Sequence, residues 1–396
     1  IDLLPAWHDA VRSVTIMHES DGASGVLLDS DPTTPAQPVP ARAFAEFHMA
    51  VHGEVLPFRS PSALALEGFP SRLARGEHGR FHAYNPSLLA EPDGSVTVVA
   101  RWSNYNFCSP KRNFEANLAE ARGAVMSFVV RGTLNTTTWQ LTPAASGGGR
   151  EGLAVWSEVS EAFPVDDTES ISGAEDPRLI RLGRRTLLLL AAWETHSTVQ
   201  WQHMARVDGG GAPRAPLRKV RMAVDERYRP ALRPWLSQFA LPPQGRVREK
   251  NWAPFAWRGA LYAEYSLEPR LVLAINEESG EGTPLLPMTS APAVRAWVRK
   301  LGPVSGGTPA VELPDCDCFL ALAHVKLFKK KGSRTATSTM MYKHFWYAFE
   351  ARPPFSVLGT SLPFTLPSQL PTTPSIQFAT GLLFRPATRE LVVSYG

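Results

Sequence analysis

The chain has 396 residues, of which 44% are hydrophobic and 20% charged, and its formal net charge is +4. This much apolar chain can bury a large core. Basic residues are scattered, and the one basic run, KKKGSR at 329–334, lacks the aromatic and glycine-rich neighbours of nucleic-acid recognition motifs. We therefore expect a solvated loop there and no nucleic-acid partner. No stretch approaches the roughly 20 apolar residues of a membrane span.

The 35 prolines and 29 glycines predict frequent turns and few long helices. Three cysteines cannot build a disulfide framework, and Cys316 and Cys318 are expected to be too close in sequence for a relaxed bridge. The sequence starts with Ile and contains a glycosylation triplet at Asn135. These two features favour a secretory-pathway protein, for example of the Golgi lumen, whose targeting segment has been removed.

Residues 1–80 carry few regular patterns and are predicted to form an N-terminal extension that packs on the main domain. A short strand is predicted at 26–28, and 33–41 is a proline-rich loop. The remaining residues, 81–396, are predicted to form one all-β domain without internal linkers. Its glycine-rich segments are too short to separate domains.

Short β-rich runs separated by turn residues fill the main domain. Paired strands are predicted at 87–90 with 95–102, 124–130 with 134–141, 179–182 with 186–193, 252–257 with 260–266, 310–313 with 319–324, and 381–384 with 391–395, and a single strand at 342–350. Strand pairs that recur every ~50 to 70 residues are typical of a β-propeller with irregular blades and long loops. A pair of β-sandwiches is the alternative.

The segment Glu175-Asp176-Pro177-Arg178 is the first candidate for chemistry. Pro177 has no amide proton and restricts the residue before it, so Asp176 is expected in an extended or turn conformation. Asp176 could act as a general acid whose orientation and protonation state are set by Glu175 or Arg178. Taken alone, the motif favours a simpler interpretation, which is a surface turn with a local Asp–Arg ion pair.

Other polar segments combine amide, cationic and aromatic side chains in the way that suits a carbohydrate ligand. Asn85 lies in YNPSL (84–88), and Arg101 precedes an aromatic and amide-rich stretch. In EKNWAPF (249–255), Lys250 could bind a phosphate or diphosphate, Asn251 a sugar hydroxyl, and Trp252 the face of a sugar ring. A solvated Glu–Lys pair followed by a core tryptophan is an equally good interpretation.

Ser305–Pro309 reads SGGTP, and its two glycines could let the backbone and Thr308 approach a ligand closely. His324 ends the next apolar strand, where it could bind phosphate or a hydroxyl, although a structural role is the commoner one. We expect all these segments to converge with Asp176 on one pocket.

No metal or other cofactor is predicted. Two Asp-x-Asp triplets, at 29–31 and 315–317, spell a motif that holds a divalent cation in many nucleotide-sugar transferases. Neither lies in a parallel α/β pattern, so both are interpreted as loops. The sequence also lacks zinc-ligand spacing and a Gly-x-Ser-x-Gly elbow.

In the order YNPSL, AEDPRLI (174–180), EKNWAPF, SGGTPAV (305–311), His324 and VSYG (393–396), the chain resembles the β-mannoside phosphorylase superfamily. That superfamily comprises glycoside hydrolase family 130 and the related glycosyltransferase family 108, and the resemblance covers roughly residues 80–396. Trp252–Phe255 departs from the phosphorylases and is closer to a transferase-like branch.

The resemblance implies a five-bladed β-propeller and an inverting single displacement in which Asp176 is the catalytic acid or base. It further implies that Asn85 and Arg101 line the sugar subsite, and that Lys250, Asn251 and His324 face the phosphate or a second sugar. Tyr395 is taken as a substrate-binding residue because it lies in the matching terminal motif.

The expected function is therefore inverting transfer of a mannose-like sugar from a sugar phosphate or nucleotide sugar to a carbohydrate acceptor. A glycoside hydrolase of the same fold is one alternative, and it would need a second carboxylate from Glu175, Glu249 or Glu264. A non-catalytic glycan-binding propeller is the other.

Overall fold

The computed structural model describes residues 13–19, 46–47, 55–58, 66–67, 82–103, 127–135, 140–142, 144–145, 151–158, 171–194, 200–207, 217–222, 249–313, 316–328, 340–366 and 377–396. Strands dominate these ranges, which contain a single helix. That helix is too short to cross a membrane.

Four short strands come from the N-terminal part of the chain, and each joins a sheet formed by later strands. They are β1 (Ser13–Glu19), β2 (Glu46–Phe47), β3 (Val55–Phe58) and β4 (Leu66–Glu67). The division at residue 80 into an extension and a main domain stays a prediction.

Blade one starts with a long hairpin and ends with β4 at its outer edge. Its strands are β5 (His82–Ala90), β6 (Val96–Ser103), β7 (Ser127–Asn135), β8 (Gln140–Thr142), β9 (Ala144–Ala145) and β10 (Glu151–Glu158), with the main order β5-β6-β7-β10-β4.

Blades two and three are joined edge to edge through a parallel pairing of β14 with β18. The strands of blade two are β11 (Ile171–Leu182), β12 (Arg185–Glu194), β13 (Gln200–Arg206) and β14 (Arg218–Met222). Those of blade three are β15 (Ala253–Trp257), β16 (Ala260–Leu267), β17 (Arg270–Ile275) and β18 (Glu281–Pro284).

Helix α1 (Pro292–Leu301) connects blade three to blade four and buries Val294 and Trp297. The strands of blade four are β19 (Val304–Gly306), β20 (Val311–Leu313), β21 (Cys318–Phe328), β22 (Met340–Glu350) and β23 (Val357–Ser361), with β2 beside β23.

Blade five closes the ring with strands from both parts of the chain. It consists of β24 (Ala379–Arg385) and β25 (Glu390–Tyr395), followed by β1 and β3. β1 pairs in parallel with β25, with Ile16 opposite Val393. Because the first described strand, β1, extends the hairpin β24–β25, this blade is held by main-chain hydrogen bonds between distant segments.

The apolar strands are buried on both faces because each lies between two neighbouring blades. Along β12, Leu187 and Leu189 belong to the cluster shared by blades two to four, whereas Leu188 and Leu190 face blade one. Side chains of successive strand residues point to opposite faces, so a continuous apolar run fits this position.

Four apolar clusters link the blades in a closed cycle. One lies between blades one and two, one spans blades two to four, one joins blades four and five, and the last brings Leu88 of blade one against Leu383 and Val392 of blade five. The inner strands β24, β5, β11 and β15 contact one another in the same cyclic order. The fold is therefore a five-bladed β-propeller, as expected.

Most of the predicted strands are confirmed, with two differences. A turn is expected between the strands predicted at 124–130 and 134–141, but β7 runs through that region, and Gly132 pairs with Val98 inside the sheet. β11 begins at Ile171, eight residues before the predicted strand, because bulges after Ser172 and Glu175 let it continue through the polar segment. The strand and loop predicted at 26–28 and 33–41, and the basic run at 329–334, lie outside the described residues.

The expectation against a bridge between Cys316 and Cys318 is wrong. The structure joins them in a disulfide, because the turn before β21 brings their Cα atoms to 5.1 Å. Asp317 lies in this turn and is exposed, which agrees with the loop interpretation of the second Asp-x-Asp triplet.

Replacing Gly381 by Ala should destabilise the contact between blades five and one. The added Cβ would lie 2.9 Å from the carbonyl oxygen of Pro86 and 3.0 Å from the amide nitrogen of Leu88, and main-chain atoms cannot move aside easily. Overpacking of this kind costs about 1–3 kcal/mol, which urea unfolding measures.

Gly282→Ala is the matched control, because that strand glycine meets the movable side chain of Leu273 at 3.1 Å. It should cost clearly less. Equal losses for the two variants would contradict the tight closure between blades five and one.

Candidate functional site

Three blades present an Asn or Asp in the left-handed backbone region, within the inner strand in blades one and two and just before it in blade three. The φ angles are 51° at Asn85, 50° at Asp176 and 63° at Asn251. Asn and Asp are the non-glycine residues that tolerate this region best. At Asn85 and Asp176 the strand pairing is interrupted by a bulge, and bulges redirect side chains out of the regular pleat. Blades one, two and three thus each have an Asn or Asp with a left-handed backbone conformation at this end of the inner strand.

The Asp176 carboxylate is held by side chains of blade one. Asn85 Nδ2 donates a hydrogen bond to Asp176 Oδ1 at 2.5 Å, and Arg101 Nη1 lies 3.9 Å from the same oxygen. Asp176 is only 6% exposed. Both contacts engage Oδ1, so within the described residues Oδ2 is the oxygen left for a ligand.

Glu175 lies among three donors. Its Oε1 accepts from Arg101 Nη2 at 3.2 Å, and its Oε2 accepts from Gln200 Nε2 at 2.9 Å and from Lys250 Nζ at 3.5 Å. Two carboxylates and two cations therefore form one group with blades one, two and three contributing. Opposite charges held together in this way offset part of the cost of removing each of them from water.

Arg178 supports the site from behind and does not pair with the Asp176 carboxylate. Its Nε donates to the carbonyl oxygen of Gly307 at 2.7 Å, and its Nη1 donates to the main-chain oxygen of Asp176 at 2.9 Å. Burial lowers the pKa of Arg178 to about 10, so the guanidinium stays charged at neutral pH. The alternative of a surface turn with a local ion pair is wrong, because Asp176 and Arg178 are both buried.

The two glycines of SGGTP allow close approach, but to the protein's own backbone. A Cβ on Gly306 would lie 2.7 Å from the Asn251 carbonyl oxygen, and one on Gly307 would lie 2.7 Å from that of Leu322. Thr308 is fully buried, and its Oγ1 accepts from the amide of Leu322 at 3.0 Å. Blade four is therefore locked against the segments that carry Asp176 and Asn251.

The segment Glu249–Trp252, which includes the predicted phosphate-binding residue Lys250, lies just before β15. Tyr265 donates to Glu249 Oε1 at 3.0 Å, and burial raises the pKa of Glu249. Trp252 is 2% exposed and packs edge-on against Tyr265, with ring centroids 5.2 Å apart, so it is a core residue. Asn251 Oδ1 is buried and has no hydrogen-bond partner among the described residues.

His324 and Tyr342 form an aromatic group with Phe378 next to the carboxylates. The His324 ring lies 5.2 Å from Tyr342 and 4.6 Å from Phe378. Burial, with help from nearby Lys326 and His344, lowers the pKa of His324, which is therefore neutral at physiological pH. Burial raises the pKa of Tyr342, and the charges of Asp176 and Glu175 raise it further.

The structure brings five of the predicted residues into direct contact, namely Asn85, Arg101, Glu175, Asp176 and Lys250. It places Trp252, Thr308 and Tyr395 in packed surroundings, and burial raises the pKa of Tyr395. Their assignment as ligand-binding residues stays a prediction.

The sequence did not reveal two residues near the site. Gln200 lies in a segment without a recognisable motif, and Tyr342 lies in an apolar strand. Glu264, one candidate for a second carboxylate, is paired with Arg270 in the core. Within the described ranges there is no group of three or more His, Cys, Asp or Glu side chains arranged to hold a metal ion.

Neither a protein-family model nor a curated protein matches this chain. Among solved structures, it is similar to a glycosyl hydrolase from Bacteroides ovatus, with 14% identity, coverage of 77% of this chain and 78% of that one, and a TM-score of 0.45. It is also similar to a β-1,2-mannobiose phosphorylase from Listeria innocua, with 11% identity, coverage of 82% and 88%, and a TM-score of 0.45.

A GDP-Man-dependent mannosyltransferase from Leishmania mexicana has 10% identity over 77% of this chain and 78% of that one, with a TM-score of 0.42. The similar structures are thus carbohydrate-active enzymes of three reaction types. At these identities and TM-scores the likeness carries no functional argument, which has to come from the side chains of this chain.

His344, beside His324, should make the protein sensitive to acid. It is fully buried, and burial lowers its pKa from 6.5 to about 3. The unfolded chain then binds a proton that the folded chain does not, so stability is lost as pH falls from 6.5 towards 3. Between pH 6 and 4.5, the wild type should lose about 2 kcal/mol more of its free energy of unfolding than His344→Gln.

Urea unfolding at several pH values measures this difference. The variant starts from a lower stability at pH 7 if the hydrogen bond from the Ala379 amide is weakened, so the slopes matter and not the absolute values. Parallel slopes would show that His344 is not the acid-sensitive group.

Proposed function

We propose that the protein is an inverting glycosyl-transfer enzyme that moves a mannose-like sugar from a sugar phosphate or nucleotide sugar to a carbohydrate acceptor. The observation that carries this proposal is the single carboxylate oxygen, Asp176 Oδ2, that has no partner among the described residues and lies in a group with two cations. One carboxylate and a cationic clamp are the minimum for such a displacement.

In the proposed reaction, the acceptor oxygen attacks the anomeric carbon from the face opposite the leaving phosphate. The new carbon–oxygen bond forms as the bond between C1 and the phosphate oxygen breaks, and the acceptor proton passes to Asp176 Oδ2. In the reverse direction, Asp176 returns the proton to the glycosidic oxygen while phosphate attacks. Asn85 fixes the carboxylate, so only one of its oxygens faces the reacting atoms.

Lys250 is the proposed contact for the donor phosphate. Its Nζ touches Glu175 Oε2 at 3.5 Å, and its side chain is 22% exposed, so the ammonium group keeps donors for a ligand. Arg101 is the second cation of the group, and its guanidinium lies 3.2 Å from Glu175 Oε1 and 3.9 Å from Asp176 Oδ1. His324, as a neutral imidazole, would serve as a hydrogen-bonding group and not as a counter-charge.

The contacts of the other carboxylates favour transfer over hydrolysis. An inverting hydrolase needs a second carboxylate to activate water. Glu175 is engaged by three donors, Glu249 is buried against Tyr265, and Glu264 is paired with Arg270. None of these three candidates is placed as a free general base.

Asp176→Asn should abolish most turnover while leaving sugar binding largely intact. Loss of general acid–base catalysis lowers kcat by about 10²- to 10⁴-fold. The amide has the same shape, and Asn tolerates the left-handed backbone at this position. Turnover is measured as phosphate or nucleotide release with a carbohydrate acceptor, and binding by calorimetry.

Asp317→Asn is the matched control, because Asp317 also has a left-handed backbone, with φ of 47°, but lies exposed in the turn before β21. It should retain wild-type turnover. If Asp176→Asn also retained it, Asp176 would not be the catalytic group.

The donor class is tested by separate incubations with nucleotide sugars and with sugar 1-phosphates, followed by detection of elongated oligosaccharide. The proposal expects elongation from one of the two classes, with inversion at the anomeric carbon read by proton NMR. No elongation from either class, across several sugars, would refute it. Binding of glycans without any turnover would then identify a glycan-binding propeller.

A further inference from the structure

Gln200 contacts Glu175 through its side chain and the segment that carries Lys250 through its main chain. Its Nε2 donates to Glu175 Oε2 at 2.9 Å. Its carbonyl oxygen accepts from the amide of Glu249, the residue before Lys250, at 2.8 Å. Gln200 begins β13 and is fully buried, so neither link is loosened by solvent.

The distances around Glu175 Oε2 indicate what the amide does. A carboxylate and an ammonium group in direct contact are usually about 2.7–2.9 Å apart. Here Gln200 Nε2 lies 2.9 Å from Glu175 Oε2, whereas Lys250 Nζ lies 3.5 Å from the same oxygen. Arg101 takes the other oxygen of Glu175 at 3.2 Å. The amide therefore competes with the ammonium group for the carboxylate.

We propose that Gln200 is a positioning residue that keeps Lys250 from closing onto Glu175 and so leaves its ammonium group available to the phosphate of the donor. This inference rests on the proposed function for its consequence in catalysis, but the arrangement itself is a property of the free protein. Without the amide, Glu175 Oε2 is open to a full ion pair with Lys250, which withdraws the cation from the ligand.

The test replaces Gln200 by Met, which has a similar length and volume but no donor. The KM for the donor should rise about tenfold or more, the effect expected on losing a hydrogen bond to a charged group. The KM for the acceptor should stay unchanged, and kcat should change much less than the donor KM. Gln200→Glu, which also removes the donor and adds a second carboxylate near Lys250, should raise the donor KM further.

A second measurement does not depend on activity. Lys250 is 22% exposed and accessible to a small acetylating reagent, and mass spectrometry gives the rate of modification of each lysine. In both Gln200 variants the rate at Lys250 should fall severalfold relative to wild type, because an ion-paired amine is a poorer nucleophile. The rate at an unrelated lysine, Lys300, should not change.

Gln202→Met is the matched control, since Gln202 is a buried amide two residues further along the same strand whose Nε2 has no hydrogen-bond partner among the described residues. It should leave both the donor KM and the Lys250 rate unchanged. A purely structural role for Gln200 would lower stability and activity without separating the two KM values. That result, or an unchanged Lys250 rate in a folded Gln200 variant, would overturn the inference.

Failure of the proposed function gives a different pattern. If the wild-type protein turns over no sugar donor, the function is refuted, while the acetylation rates still decide whether Gln200 holds Lys250 away from Glu175. If one Gln200 variant does not fold, the other gives the same two readings.

Discussion

The site depends on three residues with left-handed backbone conformations, each in or next to the inner strand of a different blade. Asn85, Asp176 and Asn251 adopt left-handed conformations that an ordinary strand residue avoids. At two of these positions a bulge breaks the pairing, and the freed side chains meet across the blade boundary, where Asn85 donates to Asp176. Such conformations cost about 1–3 kcal/mol each and persist where the surrounding structure determines them. Strained polar residues that converge from separate blades are the strongest sign that this surface has a chemical role.

The ring of blades supplies the rigidity that holds this arrangement. Each apolar strand has a neighbouring blade on either side, and β1 ties the N-terminal part of the chain to the last hairpin. Near the site, the blades also meet through polar links. Ser394 and Thr380 of blade five donate to the carbonyl oxygen of Pro86, the residue after Asn85. Arg178 joins blade two to blade four through Gly307. A ligand group would therefore meet side chains whose supports are already in place.

Much of the fold could be predicted from the sequence because its signals are local. Turn residues between alternating or continuous apolar runs fix hairpins such as β5–β6 and β15–β16. Errors arose where tertiary pairing overrides a local signal. The turn expected between the predicted strands 124–130 and 134–141 is absent because the partner strands hold Gly132 inside a sheet, and β11 continues through a polar segment by bulging. Helix α1 was missed, although Pro292 at its start and Gly302 after its end are recognisable signals.

For the site, the sequence locates the relevant segments well, but it predicts the role of each side chain less well. The Asp-Pro and Asn-Pro pairs mark two of the segments that meet, but the left-handed backbone at Asp176 is not foreseen, because Pro177 predicts an extended or turn conformation there. Lys250 lies beside Glu175. Roles that depend on burial were not accessible, since nothing local reveals that Trp252 packs in the core or that His324 is held neutral. Gln200 could not be found at all, because its importance comes from two contacts with residues 25 and 49 positions away in a fold not yet known.

A crystal structure of the protein with a bound sugar 1-phosphate or nucleotide sugar would show whether Asp176 and Lys250 meet the donor. We expect the sugar between Asn85 and Asp176, with Oδ2 facing the anomeric centre and a phosphate oxygen within hydrogen-bond distance of Lys250 Nζ. A donor bound elsewhere on the propeller, or one whose phosphate lies away from Lys250 while Asp176 contacts no ligand atom, would contradict it.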